Sequence, residues 1–181
     1  MTDRRFCRFH GAPPAGSSDT SPLPNDGMCL SAYLIVRPDG RDREVLLGRL
    51  DPGADWARIG GLDARRVARI GRRWMLPSSQ LLLFESPDDA VHRIADEQLG
   101  FSPGPVDGPR VFSEAYARPE SPGDPHWDLQ FVYTARWRDG ALPRAPGFSE
   151  LAFVDVATTP RDAIARSQAD VLALAGIETA P

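Results

Sequence analysis

The alternation of apolar and polar positions first becomes regular near Met28. Residues 30–37 are apolar and β-prone, Pro38-Asp39-Gly40 is a turn signal, and residues 44–50 read as a second strand. Together they predict a β-hairpin. A short apolar strand or turn is expected at residues 80–84. Ser86-Pro87-Asp88-Asp89 then marks a helix start, with Ser86 as N-cap, Pro87 at the first helical position and two aspartates at the positive end of the dipole. The helix should run to Leu99 and stop at Gly100, a residue suited to the left-handed conformation. Val91, Ala95 and Leu99 recur every four residues as its core stripe.

Further strands are expected at about residues 110–117, 127–137 and 151–156. In the second of these, Trp127, Leu129, Phe131, Tyr133 and Ala135 alternate with Asp128, Gln130, Val132, Thr134 and Arg136, which predicts a half-buried strand with the aromatics inward. Thr159-Pro160-Arg161-Asp162 should cap a final helix reaching about Ala175. A β-hairpin, a helix, several strands and a helix predict an α/β sandwich with a mixed central sheet.

Two stretches fall outside this pattern. Residues 1–27 are rich in Pro, Gly, Ser and Asp and read as a flexible N-terminal extension to a domain spanning 28–181. Residues 51–73 form a Gly- and Arg-rich insertion in which Asp63 can cap a short helix carrying Arg65, Arg66, Arg69, Arg72 and Arg73. Such a cluster can hold a phosphate; a solvated helix face is the plainer reading.

Composition narrows the chemistry. The 181 residues suffice for one domain with a sizeable core. All 21 basic residues are arginine, which removes lysine chemistry such as a Schiff base or a phosphate-loop lysine. A net charge of −4 gives no global field for nucleic acid. There is no apolar leader segment and no run of ~18 apolar residues, so a cytoplasmic protein without a membrane span is expected. Cys7, His10 and Cys29 offer three soft ligands where a structural zinc site normally takes four with paired spacing, and they read as unrelated residues.

The segment 74–101 carries a more specific signal. Trp74, Leu76 and Pro77 match a Trp-x-Leu-Pro lead-in, followed at fixed spacing by Ser79, Glu85, Arg93, Ile94, Ala95, Glu97, Gln98, Gly100 and Phe101. This resembles the Nudix box, G-x5-E-x7-R-E-U-x-E-E-x-G-U, aligned without a gap. Glu85, Arg93, Glu97, Gly100 and Phe101 agree with the motif; Ser79, Ile94, Ala95 and Gln98 depart from it. The preceding strands, the run His126–Tyr133 and Glu150 before the last strand extend the resemblance over about residues 28–176.

The resemblance implies a Nudix-type α/β/α sandwich, with Glu85, Arg93 and Gly100 as box scaffold. It also implies Mg²⁺ or Mn²⁺ held by helix carboxylates. Positions 94, 97 and 98 are i, i+3 and i+4 and should share one face, because a hard cation prefers clustered oxygens. Here they read Ile94, Glu97 and Gln98, one carboxylate of three, so Glu97 and Gln98 are the candidate ligands left on this face and metal-dependent hydrolysis should be weak or lost. Glu97 can equally pair with Arg93, as can Asp89. Asp89, His92 and Asp96 form a weaker alternative metal set. Catalytic candidates are Glu97, Glu150 and His126, with Asp124 and Asp128 behind them; Arg72, Arg73 and Trp127 are ligand-binding candidates.

Three functions follow. The first binds a nucleoside-diphosphate-type small molecule or a protein partner with little hydrolysis. The second is an active pyrophosphohydrolase with a divergent metal site drawn from Glu85, Glu97, Glu150 or Asp128. The third is a scaffold or regulatory module that binds no nucleotide. No nucleic-acid or membrane partner is indicated, and a homodimer is compatible with the sequence.

Overall fold

The computed structural model describes residues 5–9, 27–118, 121–138, 140–165 and 168–180, with the side chains of 8, 9, 116–118 and 121–125 left aside. Its centre is the strand β2 (Met28–Pro38), whose side chains alternate between two cores. Ala32, Leu34 and Val36 face one cluster; Tyr33 and Ile35 face the other. The strand β3 (Glu44–Leu50) divides in the same way, Leu46 and Leu50 against Val45 and Leu47. A strand apolar on both faces must be covered on both. One cover is the helix α3 (Pro87–Ile94) with its continuation Ala95–Leu99; the other is α4 (Gln168–Leu174). The result is an α/β/α sandwich.

The central layer comprises two hydrogen-bonded sheets. In the larger, β2 runs parallel to β7 (Ser121–Trp137), which pairs antiparallel with β6 (Val106–Arg118). The other edge of β2 is taken by β1 (Arg8–Phe9) and β5 (Ser78–Gln80), both antiparallel. The smaller sheet has the order β4 (Trp74–Met75), β3, β8 (Phe148–Asp155), all antiparallel. Two short helices, α1 (Trp56–Ile59) and α2 (Ala64–Ile70), fill the insertion, and Asp63 caps α2 by accepting from the Arg66 N–H.

Several expectations change. β2 and β3 follow one another around Pro38-Asp39-Gly40 but are not ladder partners, because β2 already has both edges occupied and β3 pairs with β4 and β8. Residues 5–9 are tied to the domain: β1 joins the sheet, Phe6 bridges Leu82, and Cys7 is buried against the α3-side core. The rest of the expected extension, including His10, lies outside the described residues apart from Gly27. The last helix is divided. Arg161–Ala163 forms a 3₁₀ turn, then Ile164 and Ala165 extend beside Trp74, where the Ala165 N–H bonds the Trp74 carbonyl, before α4 begins. Burial of Ile164 and Ala165 in extended form outweighs their helical propensity. No helix among the described residues is long and apolar enough to cross a membrane.

Candidate ligand cleft and the box helix

The box helix starts where its residues dictate. Ser86 Oγ accepts from the Asp89 N–H at 3.1 Å, and Pro87 occupies the first turn. Asp89 is drawn to this cap, its carboxylate receiving the Ser86 hydroxyl at 2.7 Å, so it does not form the expected ladder with Arg93. Arg93 instead forks onto Glu85, with Nε donating to Oε1 at 2.6 Å and a terminal nitrogen to Oε2 at 2.8 Å. It also reaches the Gln80 carbonyl at 3.0 Å and Ser79 Oγ at 3.3 Å. Glu85 Oε2 further accepts from the Leu82 N–H at 2.7 Å, which closes the tight turn carrying Phe84 at φ +67°.

From Ala95 to Leu99 the helix widens into a π turn, closed by the Gly100 N–H on the Ala95 carbonyl at 2.9 Å. Gly100 is left-handed at φ +75°, and a Cβ there would stand 2.9 Å from Pro146 Cδ. The three positions of the expected metal face separate. Ile94 is fully buried in the α3-side core. Gln98, also with 0% exposure, bonds backbone through both amide atoms: Oε1 accepts from the Ser78 N–H at 3.1 Å, and Nε2 donates to the Ser78 and Ile59 carbonyls at 2.8 and 3.1 Å. Glu97 remains at the surface, 3.3 Å from Arg58 and 3.8 Å from Arg93. Among the described residues no group of three His, Cys, Asp or Glu is arranged to hold a metal ion, the Asp89, His92, Asp96 set included.

A concavity lies elsewhere. A cleft of about 390 Å³ is floored by the sheet on the face that carries Tyr33, away from the core beneath α3. β2 contributes Cys29, Ser31 and Tyr33, β7 His126 and Asp128, β6 Glu114, and β5 Ser78, Ser79 and Gln80. Register explains the assembly: Asp128 pairs across the sheet with Cys29 on one side and Glu114 on the other. The insertion helix supplies a basic wall, since Arg66, Arg69 and Ile70 share a face at i, i+3 and i+4 and Arg73 follows beyond Gly71. Arg73 is braced by the carbonyls of Asp162 at 3.0 Å and Arg69 at 2.9 Å. Gln168 and Asp170 of α4 complete the rim.

The polar row on β7 corrects the expected alternation. His126, Asp128, Gln130 and Val132 are buried, while Trp127, Leu129 and Phe131 are only partly so. Asp128, 5% exposed, accepts the Ser31 hydroxyl at 2.9 Å. Burial pushes its carboxyl up to about 6, with nearby Glu114 adding to the effect and donors from Ser31, Gln130 and Tyr33 opposing it. Gln130 donates to Glu114 at 3.2 Å, and its own Oε1 is buried with no partner among the described residues.

Of the candidates named from sequence, the cleft gathers His126 and Arg73, together with Asp128 and the arginines Arg66 and Arg69. It does not gather Glu97, Glu150, Arg72 or Trp127. Glu150 is exposed on β8 and pairs with Arg49 at 2.8 Å. The Arg72 carbonyl accepts from Arg49, and the Trp127 indole points to Ser113 Oγ at 2.8 Å. The side chain of Asp124 lies outside the described residues. Ser31 and Glu114 line the cleft without a motif to mark them. The run of polar side chains at alternate positions 126, 128 and 130 was the available signal, but their neighbours follow only from strand register.

No family model matches the chain, and no curated protein matches it. Solved structures do. The NUDIX domain of Shewanella oneidensis NrtR, complexed with ADP ribose, aligns with a TM-score of 0.54 at 15% identity, over 92% of this chain and 92% of that one. The M. Smegmatis Nudix hydrolase RenU gives 0.52 at 16% identity, over 88% and 96% of the two chains. A NUDIX hydrolase from Nitrosomonas europaea gives 0.50 at 15%, over 84% and 92%. At these identities the likeness speaks to architecture, and the architecture of this chain is the Nudix fold.

Proposed function

We propose that this chain binds a nucleoside-diphosphate-type ligand in the cleft and does not hydrolyse it by the metal-dependent route of a Nudix box. The observation that carries this reading is the engagement of Gln98. Mg²⁺ takes clustered oxygens in near-octahedral geometry. Ile94 has no donor atom, the Gln98 oxygen is committed to the Ser78 N–H, and Glu97 is neutralised by two arginines. The residues present do not fit the ion, and no hydrolytic step is assigned to it.

Binding is supported by the cleft itself, which has the size and polarity of a small-molecule site. It is supported too by the complex of the Shewanella oneidensis NUDIX domain with ADP ribose. An active hydrolase drawing on Glu85, Glu97, Glu150 and Asp128 is not favoured. Glu85 is held by Arg93, Glu150 by Arg49 on the smaller sheet, and Asp128 lies on the sheet face away from the box helix.

Isothermal titration with ADP-ribose, NAD and nucleoside triphosphates, each with Mg²⁺ and with a chelator, tests the reading. Saturable binding of at least one ligand, with a Kd changed less than about twofold by chelation, is expected. Metal-dependent turnover at ~1 s⁻¹ or faster would overturn it.

A further inference from the structure

The cleft is polarised. Its basic wall consists of Arg66, Arg69 and Arg73 from the insertion helix and the residues that follow it. Its floor holds acceptors in excess. Asp128 and Glu114 stand in register on adjacent strands, and neither has a cationic partner among the described residues. Both carboxylates line the cleft, and an ionised carboxylate offers about four acceptor positions and no donor. Acceptors that face the cleft call for donors brought by a bound ligand.

The donor's chemistry follows from the neighbours. Around the carboxylates the floor also carries the neutral hydrogen-bonding side chains Ser31, Ser78, Ser79 and Gln80, with His126 beside them and Gln168 and Asp170 at the rim. A mixture of carboxylates, amides and hydroxyls matches a group bearing several hydroxyls, each of which can donate to one neighbour and accept from another. Hydroxyl donors to a carboxylate form charge-assisted bonds without bringing a second charge into a desolvated site.

We propose that the cleft binds its ligand in one direction, with phosphate against Arg66, Arg69 and Arg73, and the hydroxyls of a terminal sugar beyond the phosphate against Asp128 and Glu114. The arginines take the counter-charge role that the box helix does not offer to a metal, and the acceptor floor favours a diphosphate whose outer phosphate carries a terminal sugar over one that ends in phosphate. This rests on the proposed ligand-binding reading and adds orientation and selectivity to it.

The test compares ADP with ADP-ribose, and ribose 5-phosphate with phosphoethanolamine, by titration calorimetry in chelator. Wild type is set beside Asp128→Asn and Arg66→Gln/Arg69→Gln, each checked for an unfolding transition. ADP-ribose is expected to bind about tenfold more tightly than ADP, with Asp128→Asn removing most of that difference while leaving ADP within about twofold. The arginine double variant should weaken both nucleotides about equally, and wild-type affinity should fall as salt rises. Equal wild-type affinity for ADP and ADP-ribose, or an equal loss of both in Asp128→Asn, overturns the orientation and leaves ligand binding standing. Phosphoethanolamine binding more tightly than ribose 5-phosphate shows an ammonium site and also overturns it. If no nucleotide binds folded wild type, the ligand-binding reading itself fails.

Discussion

Asp128 is an acid whose surroundings resist its ionisation, and that resistance has a thermodynamic consequence. Its folded carboxyl is raised to about 6, chiefly by burial, from an ordinary value of 3.8. Between these pH values the folded chain holds a proton that the unfolded chain has released. The stability tied to this group is therefore full below about pH 4 and is lost as pH rises through about 6. The difference between these two values corresponds to about 3 kcal/mol. Asp128→Asn stays neutral and can still accept the Ser31 hydroxyl. Urea unfolding from about pH 4 to pH 8 should show the variant gaining ~2–3 kcal/mol on wild type, most of it between pH 4 and 7. Parallel stability curves would mean that ionised Asp128 sits in the fold without cost. The sequence offered Asp128 as one of several loop or strand acids; only the register that sets Glu114 and Cys29 beside it explains why this one differs.

Within the box element, local signals and burial had different legibility. Ser86, Pro87 and Gly100 act where propensity places them, because a cap or a left-handed stop is decided by a few adjacent residues. The coupling of Arg93 to Glu85 reaches only eight residues along the chain and also follows from the motif. The π turn was not legible, nor was the inward direction of Gln98, because both depend on Ile59 and Ser78 lying within reach. This changes what restoring the box sequence should achieve. In Ile94→Glu/Gln98→Glu, one new carboxylate enters the apolar core and the other faces two backbone carbonyls that have lost their donor. Breaking such buried arrangements costs ~3–5 kcal/mol each when charge is left uncompensated. The double variant should therefore be largely unfolded by thermal melting and gain no Mg²⁺-dependent activity. A folded, metal-activated double variant would show that the helix can rotate these positions outward and that the native burial is not binding.

At the scale of the molecule, the three layers were readable because β2 and β3 are apolar on both faces and two amphipathic segments are available to cover them. The splitting of the central layer into two sheets was not, since neither strand's sequence says which partner wins its edge. The junction between the sheets is the link from Trp74 to Ser78, where β4 ends in one sheet and β5 begins in the other. Two buried glutamines hold it from opposite helical layers. Gln98, from the box helix, bonds both backbone groups of Ser78; Gln168, from α4, accepts from the Leu76 N–H at 3.2 Å and reaches Ser78 Oγ at 3.4 Å. If this link is the mechanical connection between the layers, the glutamines should not act independently. Gln98→Leu and Gln168→Leu should each lower stability by ~1–3 kcal/mol, by leaving buried backbone groups unsatisfied. Once one has freed the link, the second should cost less than it does alone, giving a coupling of ~0.5–3 kcal/mol in a double-mutant cycle read by urea unfolding. Additive losses would show that each glutamine merely satisfies its own local backbone. A positive coupling would identify the Leu76–Ser78 link as the point through which the box helix and α4 sense one another across the sheet.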